Sequence, residues 1–399
     1  MANKNKATLG IIFLTIFIDL MGFGILIPIL PTFASKELGI SDFGIGSIVA
    51  VFSLMQFVFN PMLGKLSDKI GRRPVILVTQ LMTAISYLIF AFSNSFWLLF
   101  FSRMLAGLGG SNIGVAQAYI ADITTREERA KGMGVIGAAF GLGFVFGPII
   151  GALLAKYGYH VAGLGSAFFT TSAFIFTFFR LPESLKEKRV EGKIKIKIFD
   201  FKFAKKVLTN PSISFLIILY FLIIFSIANI YGTFAILGFK YYHFSDQQIG
   251  ILFGITGLMG ALIQAGLMRT LSKRLSDKII VLIGIFFMVI GLVLIPYGGN
   301  FRGVAIVISI MAIGSGILQP IIPSMISKYS PEHQQGATLG FSQSISAFAR
   351  VLGPLWGGFA YDIFGYQYPF ITGAIFTMIT FIVAIKMLRS NKEEIPQNV

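Results

Sequence analysis

Twelve long apolar runs leave this chain few folds to choose from. They cover roughly residues 8–30, 42–63, 74–93, 96–121, 130–155, 160–180, 211–240, 246–271, 278–297, 302–328, 334–361 and 367–388. A helix needs about 20 apolar residues to cross the hydrocarbon of a bilayer, and these runs have that length. Lipid offers no hydrogen-bond partner to a peptide group, so each run must close its hydrogen bonds internally, as a helix. Several runs are rich in Val, Ile and Phe, which favour strands in water; their length overrides that preference. The chain is 55% hydrophobic and 13% charged over 399 residues, with a mean hydropathy of +0.80. A water-soluble body of this size could not hide so much apolar surface. The first run is too long for the core of a cleaved signal and has no small-residue cleavage site.

The placement of charge orients the spans. A net charge of +16 would suit nucleic acid, but the cations fall in the short gaps between runs, so no nucleic-acid partner is expected. Twelve spans put both termini on one side, and 27 of the 33 Lys and Arg lie on that side. The opposite gaps hold only Lys36, Lys156, Lys240 and Arg302. Positive gaps stay inside, which predicts a multi-pass protein of the cell (inner, cytoplasmic) membrane with both termini in the cytoplasm. There is no Cys, which excludes disulfides and thiolate metal sites.

The two halves echo each other. Glu128-Arg129-Ala130-Lys131-Gly132 returns as Glu332-His333-Gln334-Gln335-Gly336, and Gly147-Pro148-x-x-Gly151 returns as Gly353-Pro354-x-x-Gly357. The spacing predicts an all-α membrane protein of twelve transmembrane helices in two pseudo-symmetric six-helix bundles, 1–180 and 211–399, the second with a short cytoplasmic tail. Between them lies a basic cytoplasmic linker, 181–210. Its alternating stretch Lys193 to Ile198 reads as a solvated tether whose charge fixes topology and touches anionic lipid heads; a regulatory role is the other reading.

Charge inside the spans is rare and informative. Asp19 sits in the middle of the first run, Arg103 in the fourth, Arg350 in the eleventh, and Asp122 near the end of the fourth. Ionisation is costly among apolar groups, so Asp19 is the candidate for binding and releasing a proton during transport; a fixed structural acid is the alternative. The fifth run carries Gly137, Gly141, Gly147, Pro148 and Gly151, with glycines at steps of four that predict a flat helix face for close packing. Gln56, Asn60, Gln117, Asn229, Tyr231, Gln264, Gln319, Gln343 and Arg350 are candidates to line a cavity, or to form bonds between helices. No nucleotide loop, metal cluster or nucleophile with a base is present, so no enzyme and no metal site is expected.

One short stretch ties these features together. Gly64-Lys65-Leu66-Ser67-Asp68-Lys69-Ile70-Gly71-Arg72-Arg73-Pro74 packs four cations and a carboxylate between two apolar runs. It reads as a turn in water at the membrane face, after a helix ending near Leu63, with Asp68 close to the arginines. With Asp19-Leu20-Met21-Gly22-Phe23-Gly24, Arg103-Met104-Leu105-Ala106-Gly107, the glycines of the fifth run and Ala118-Tyr119-Ile120-Ala121-Asp122, this stretch resembles the major facilitator superfamily. The likeness is greatest to its drug:proton antiporters, the tetracycline-efflux group above all. The resemblance implies a proton-coupled exporter of amphipathic small molecules or drugs, working by alternating access as a monomer, with no cofactor beyond a proton gradient. It implies that Arg103 faces the interior and influences proton transfer, with movement between the halves as the switch at Asp19; the alternative is a fixed ion pair that holds helices together. It also implies that Gly64, Asp68, Gly71, Arg72, Arg73 and Asp122 form a cytoplasmic latch. The tetracycline exporters carry further buried ionisable groups where this chain has Ser86, Gly260 and Met288, so tetracycline itself is a poor match. An interior with one deep acid and two arginines leaves an alternative cargo: an anionic metabolite or lipid-like amphiphile read by Arg103 or Arg350.

Overall fold

The computed structural model describes residues 2–26, 29–40, 42–185, 201–244 and 246–390. Among them there is no strand. The first half contains α1 (Ala2–Leu26), a short α2 (Ile29–Lys36), α3 (Asp42–Ile70), α4 (Arg72–Ala91), α5 (Phe96–Gly109), α6 (Ile113–Ile123), α7 (Arg129–Ala155) and α8 (Tyr159–Arg180). A short α9 (Phe201–Thr209) leads into α10 (Pro211–Lys240), α11 (Asp246–Leu262), α12 (Met268–Arg274), α13 (Asp277–Leu294), α14 (Phe301–Tyr329), α15 (Gln335–Phe364) and α16 (Tyr368–Ser390). Ten helical spans among the described residues are long and apolar enough to cross a membrane. The more polar α15, together with α16, completes the twelve expected runs. Large apolar side chains such as Phe92, Trp97, Phe168, Phe179 and Leu355 point outward and are exposed, as lipid-facing residues do.

Two spans are irregular, each for a local reason. The fourth is broken into α5 and α6 by a tight turn at Gly110–Asn112, where Ser111 leaves helical angles. The eighth joins α11 to α12 through a π turn at Ile263–Leu267. Irregular backbone at membrane depth survives only where other polar groups meet it. At the first break they do: the side-chain amide of Gln56 donates to the Gly110 carbonyl at 3.1 Å.

Within the first six spans, α1 packs on α7 and α8, α4 on α5 and α8, and α3 on α5. Within the last six, α13 packs on α14 and α16, and α10 on α15 and α16. The halves meet along two seams, α3 against α15 and α7 against α11 and α14. Glycines let the helices approach there. A Cβ added at Gly64 would run into the carbonyl of Gly336, and one at Gly340 would lie 2.5 Å from the carbonyl of Asn60.

The glycines of α7 do not form the single flat face that their spacing suggests. Ten residues separate Gly137 from Gly147, and at 3.6 residues per turn that places them on different sides. Gly147 and Gly151 dock on α1, where added Cβ atoms would lie 2.6 Å from the Gly24 Cα and 2.5 Å from the Ile25 carbonyl oxygen. Gly137 and Gly141 face α11 and its π turn, against Gln264 and Ala261. The helix runs unbroken through Pro148.

Candidate functional site

The charged stretch 64–74 is not a solvated turn. α3 continues to Ile70 and α4 begins at Arg72, leaving Gly71 alone outside the helices. Its φ of 109° is a left-handed value that favours glycine. The expected helix end near Leu63 is overturned by the partners these charges find. Arg72 is completely buried and Asp68 nearly so. The Arg72 guanidinium lies 2.7 Å from Asp68 and 3.1 Å from Asp122, and it donates to the Ser67 hydroxyl at 2.7 Å. Paired on both sides, the cation sits inside the protein and not at its surface.

Asp68 also reaches across the seam. Its carboxylate accepts the N–H groups of Gly336 at 3.0 Å and Ala337 at 2.8 Å. These belong to the first turn of α15, where backbone donors lack helical partners and the helix dipole favours an anion. The first half is thereby bonded to the second at the basic face. Arg73 takes no part in the ion pairs: its guanidinium donates to the Phe178 carbonyl at 2.5 Å.

Glu183, which the sequence gives little reason to single out, completes the cluster. Its carboxylate accepts the backbone N–H of Arg72 at 2.9 Å and of Arg73 at 3.1 Å, in space that a Cβ at Gly71 would fill. It caps α4 from 111 residues away. Ser184 beside it donates to Asp122 at 3.0 Å. The one available hint was a lone carboxylate directly after the sixth run.

The second half has a counterpart with its charges exchanged. Asp277 begins α13 and Lys328 ends α14, and the two are ion-paired at 2.5 Å. In the first half the cation, Arg72, begins α4 and the anion, Asp122, ends α6. The second pair is about a fifth to a quarter exposed, so water screens it more.

Asp19 lines a small, partly open cavity of about 70 Å³. Phe23, Gln80, Thr83, Tyr87 and Asn112 share its wall, and every lining residue belongs to the first six spans. The Asn112 amide donates to Oδ2 of Asp19 at 3.5 Å. Oδ1 is buried with the Thr170 hydroxyl as its neighbour, and Oε1 of Gln80 is buried with no hydrogen bond among the described residues. A buried water needs about 10–15 Å³ and two or more polar partners, so the cavity has room and acceptors for a few waters. Arg103 stands apart from the acid. Its guanidinium lies over the rings of Tyr87 at 5.6 Å and Phe90 at 5.4 Å and donates to Ser102 at 3.3 Å. Tyr87 therefore faces both groups, with its ring under Arg103 and its side chain on the Asp19 cavity. No ion pair joins Asp19 to Arg103 among the described residues.

The other candidates separate into distinct environments. Gln56 lines the Asp19 cavity, and it also accepts from Arg350 across the α3–α15 seam at 3.0 Å. Arg350 is held at its other end by Ser346 at 2.9 Å. Gln343 donates to Gln117 at 3.2 Å and to Tyr220 at 3.3 Å, a bond between the halves. Asn60 is buried where α3 meets Gly340. Two candidates take the second of the two expected roles, contacts between helices. Asn229 donates to the Pro369 carbonyl at 2.5 Å and fills the space beside Gly357 inside the second half. Gln264 is buried against Gly134 and Gly137 at the π turn. Gln319 is half-buried on α14. The side chain of Tyr231 and residues 193–198 lie outside the described residues.

Comparison with known proteins gives a consistent picture. The family model of the Major Facilitator Superfamily matches residues 12–270 and 216–398. The class C tetracycline resistance protein of Escherichia coli is 30% identical over 364 residues, 88% of this chain and 89% of that protein. Multidrug resistance protein 2 of Bacillus subtilis (strain 168) is 27% identical over 371 residues, 92% of each. The crystal structure of the human organic anion transporter MFSD10 (TETRAN) superposes with a TM-score of 0.84 at 26% identity, covering 95% of this chain and 99% of that one.

Proposed function

The chain belongs to the major facilitator superfamily, and from that premise we propose that it is a secondary active transporter that exports amphipathic small molecules in exchange for protons. Residues 1–180 and 211–399 are the two moving units, joined by 181–210, in a monomer of the cytoplasmic membrane with both termini inside. The observation that carries the proton is the Asp19 carboxyl on a small, mostly apolar cavity inside the first six spans, bonded to Asn112 and, among the described residues, to no cation. Such a group can change its protonation as water reaches or leaves the cavity. Tyr87 is the intermediary between Asp19 and Arg103, in place of a direct ion pair.

The buried cluster of Asp68, Arg72 and Asp122, bonded to the start of α15, holds the basic face shut in this form. The cargo path then opens on the opposite face, and cargo enters the cytoplasmic side only after that cluster separates. Pockets that take drug-sized ligands are roughly 300–1,000 Å³, so in this form the cavity of about 70 Å³ has room for the proton and a few waters, and cargo binds between the halves. The test is proton release on cargo addition, measured in vesicles loaded with a pH dye across cationic, neutral and anionic amphiphiles. Asp19→Asn should abolish the release while the protein still folds and binds cargo. Release persisting in that variant would remove Asp19 from the mechanism.

A second reading has its own observation. Arg350 stands on the α3–α15 seam at the level of Gln56, and a structural relative is described as an organic anion transporter. If the cargo is an anion read by this arginine, Arg350→Ala should abolish binding of anionic amphiphiles and spare neutral ones.

A further inference from the structure

The second part of the basic linker is not a free tether. Phe201–Thr209 folds as α9, and its faces differ. Val207 is buried. Phe203, one turn earlier, carries Nζ of Lys65 from α3 at 4.3 Å from its ring centroid and meets the Phe341 ring of α15 edge-on at 6.5 Å. Phe203 thus touches both halves at the basic end of the α3–α15 seam. Lys202, Lys205 and Lys206, spaced at three and four residues, are exposed on the other side.

The height of α9 is fixed as well. The N–H of Asn210 donates to the Val207 carbonyl at 3.3 Å. The Asn210 side chain accepts from Ser212 and Ile213 at the start of α10, and Pro211 opens a membrane span. Three lysines are therefore held where that span begins, at the level of lipid headgroups.

We propose that α9 is a lipid-reading strap: Lys202, Lys205 and Lys206 bind the headgroups of anionic phospholipids, and this binding holds Phe203 across the α3–α15 seam and favours the form closed at the basic face. Lys202, Lys205 and Lys206 share one side of a short helix at steps of three and four, so their mutual repulsion weakens α9 and its docking in an uncharged bilayer. Anionic headgroups relieve that repulsion, each lysine gaining from the negative surface within a Debye length. An array of headgroups meets all three lysines at once; a single dissolved anion does not. The proposal rests on the reading that this seam opens during transport.

The chain has no cysteine, so a pair introduced by Ile70→Cys and His333→Cys, both at exposed positions, can carry spin labels across the seam. Distances are measured on the full purified protein in vesicles of phosphatidylcholine alone and of phosphatidylcholine with about 30% phosphatidylglycerol. The anionic lipid should raise the closed-to-open ratio about fivefold or more. The triple variant K202Q/K205Q/K206Q should flatten that response, and K202R/K205R/K206R should keep it. Phe203→Ala should open the seam and lose the response with all three lysines present. A full response in the glutamine variant overturns the proposal. So does the same response produced by inorganic phosphate in phosphatidylcholine vesicles, or a distance that stays the same in every bilayer. The measurement uses neither cargo nor a proton gradient, so lost proton exchange in Asp19→Asn and a silent strap are separate results.

Discussion

Arg72 is buried beside two carboxylates, and its worth follows from that company. Removing one member of a buried, hydrogen-bonded ion cluster leaves the others charged and unpaired, at a cost of about 3–5 kcal/mol. Arg72→Ala should therefore lower thermal unfolding of the purified protein by several degrees. Arg72→Lys should recover little, because one ammonium cannot reproduce the fork to Asp68 and Asp122. Asp68→Asn should act differently. The amide keeps one acceptor for the N-terminus of α15 but loses the charge, so the basic face should open more readily while unfolding changes less; cysteine labelling from that face would register the difference. Glu183→Gln should weaken the cap on α4 by about 0.5–2 kcal/mol, again read by thermal unfolding. The sequence disclosed the charges of this cluster but not their burial. Hydropathy sees five charged residues in eleven and infers water; it cannot see that Asp122 pairs with Arg72 and that Glu183 takes two backbone N–H groups, from two distant segments.

Elements were legible where length decided. Each apolar run became a helical span; the end at Leu63 moved to Ile70 because remote partners let the helix continue, and the first run, 8–30, became α1 from Ala2 to Leu26 followed by the short α2. The glycines of α7 show what periodicity misses. Steps of four were visible, but the ten-residue gap between the pairs sends one to α1 and the other to α11. The break at Gly110–Asn112 was also hidden, since its backbone is satisfied by Gln56 from another helix. A crowded glycine and an open one give a paired prediction. Gly147→Val should overpack the α1 contact, where even a Cβ would approach the Gly24 Cα to 2.6 Å, and should cost about 1–3 kcal/mol. Gly254→Ala on α11, where nothing lies within 4 Å of the added carbon, should be neutral or should stabilise by up to about 1 kcal/mol through helix propensity. Thermal unfolding of the two variants side by side checks both.

At the scale of the molecule, the halves share a plan but not its polarity. Arg72 with Asp122 is buried, while Asp277 with Lys328 is the exchanged and partly wetted counterpart. Only the first cluster reaches across the seam, so the grip at the basic face is one-sided. Repeated motifs announced the duplication, and the charged stretch Gly64–Pro74 pointed to the first copy as the one with the latch; its reach to the start of α15 was hidden, because backbone N–H groups leave no mark in a sequence. Gly64→Ala should prise the two units apart there, since its Cβ meets the Gly336 carbonyl; the basic face should become more accessible to labelling and the buried cluster should exchange amide hydrogens faster. The same glycine contact has a further consequence. Where α3 and α15 meet, main chain touches main chain at Gly64, Gly336 and Gly340. Rails that smooth leave few rotamers to turn as they part and return, so the speed of that movement is left to the polar links beside them, Asp68 to the start of α15, Gln56 to Arg350 and Gln117 to Gln343.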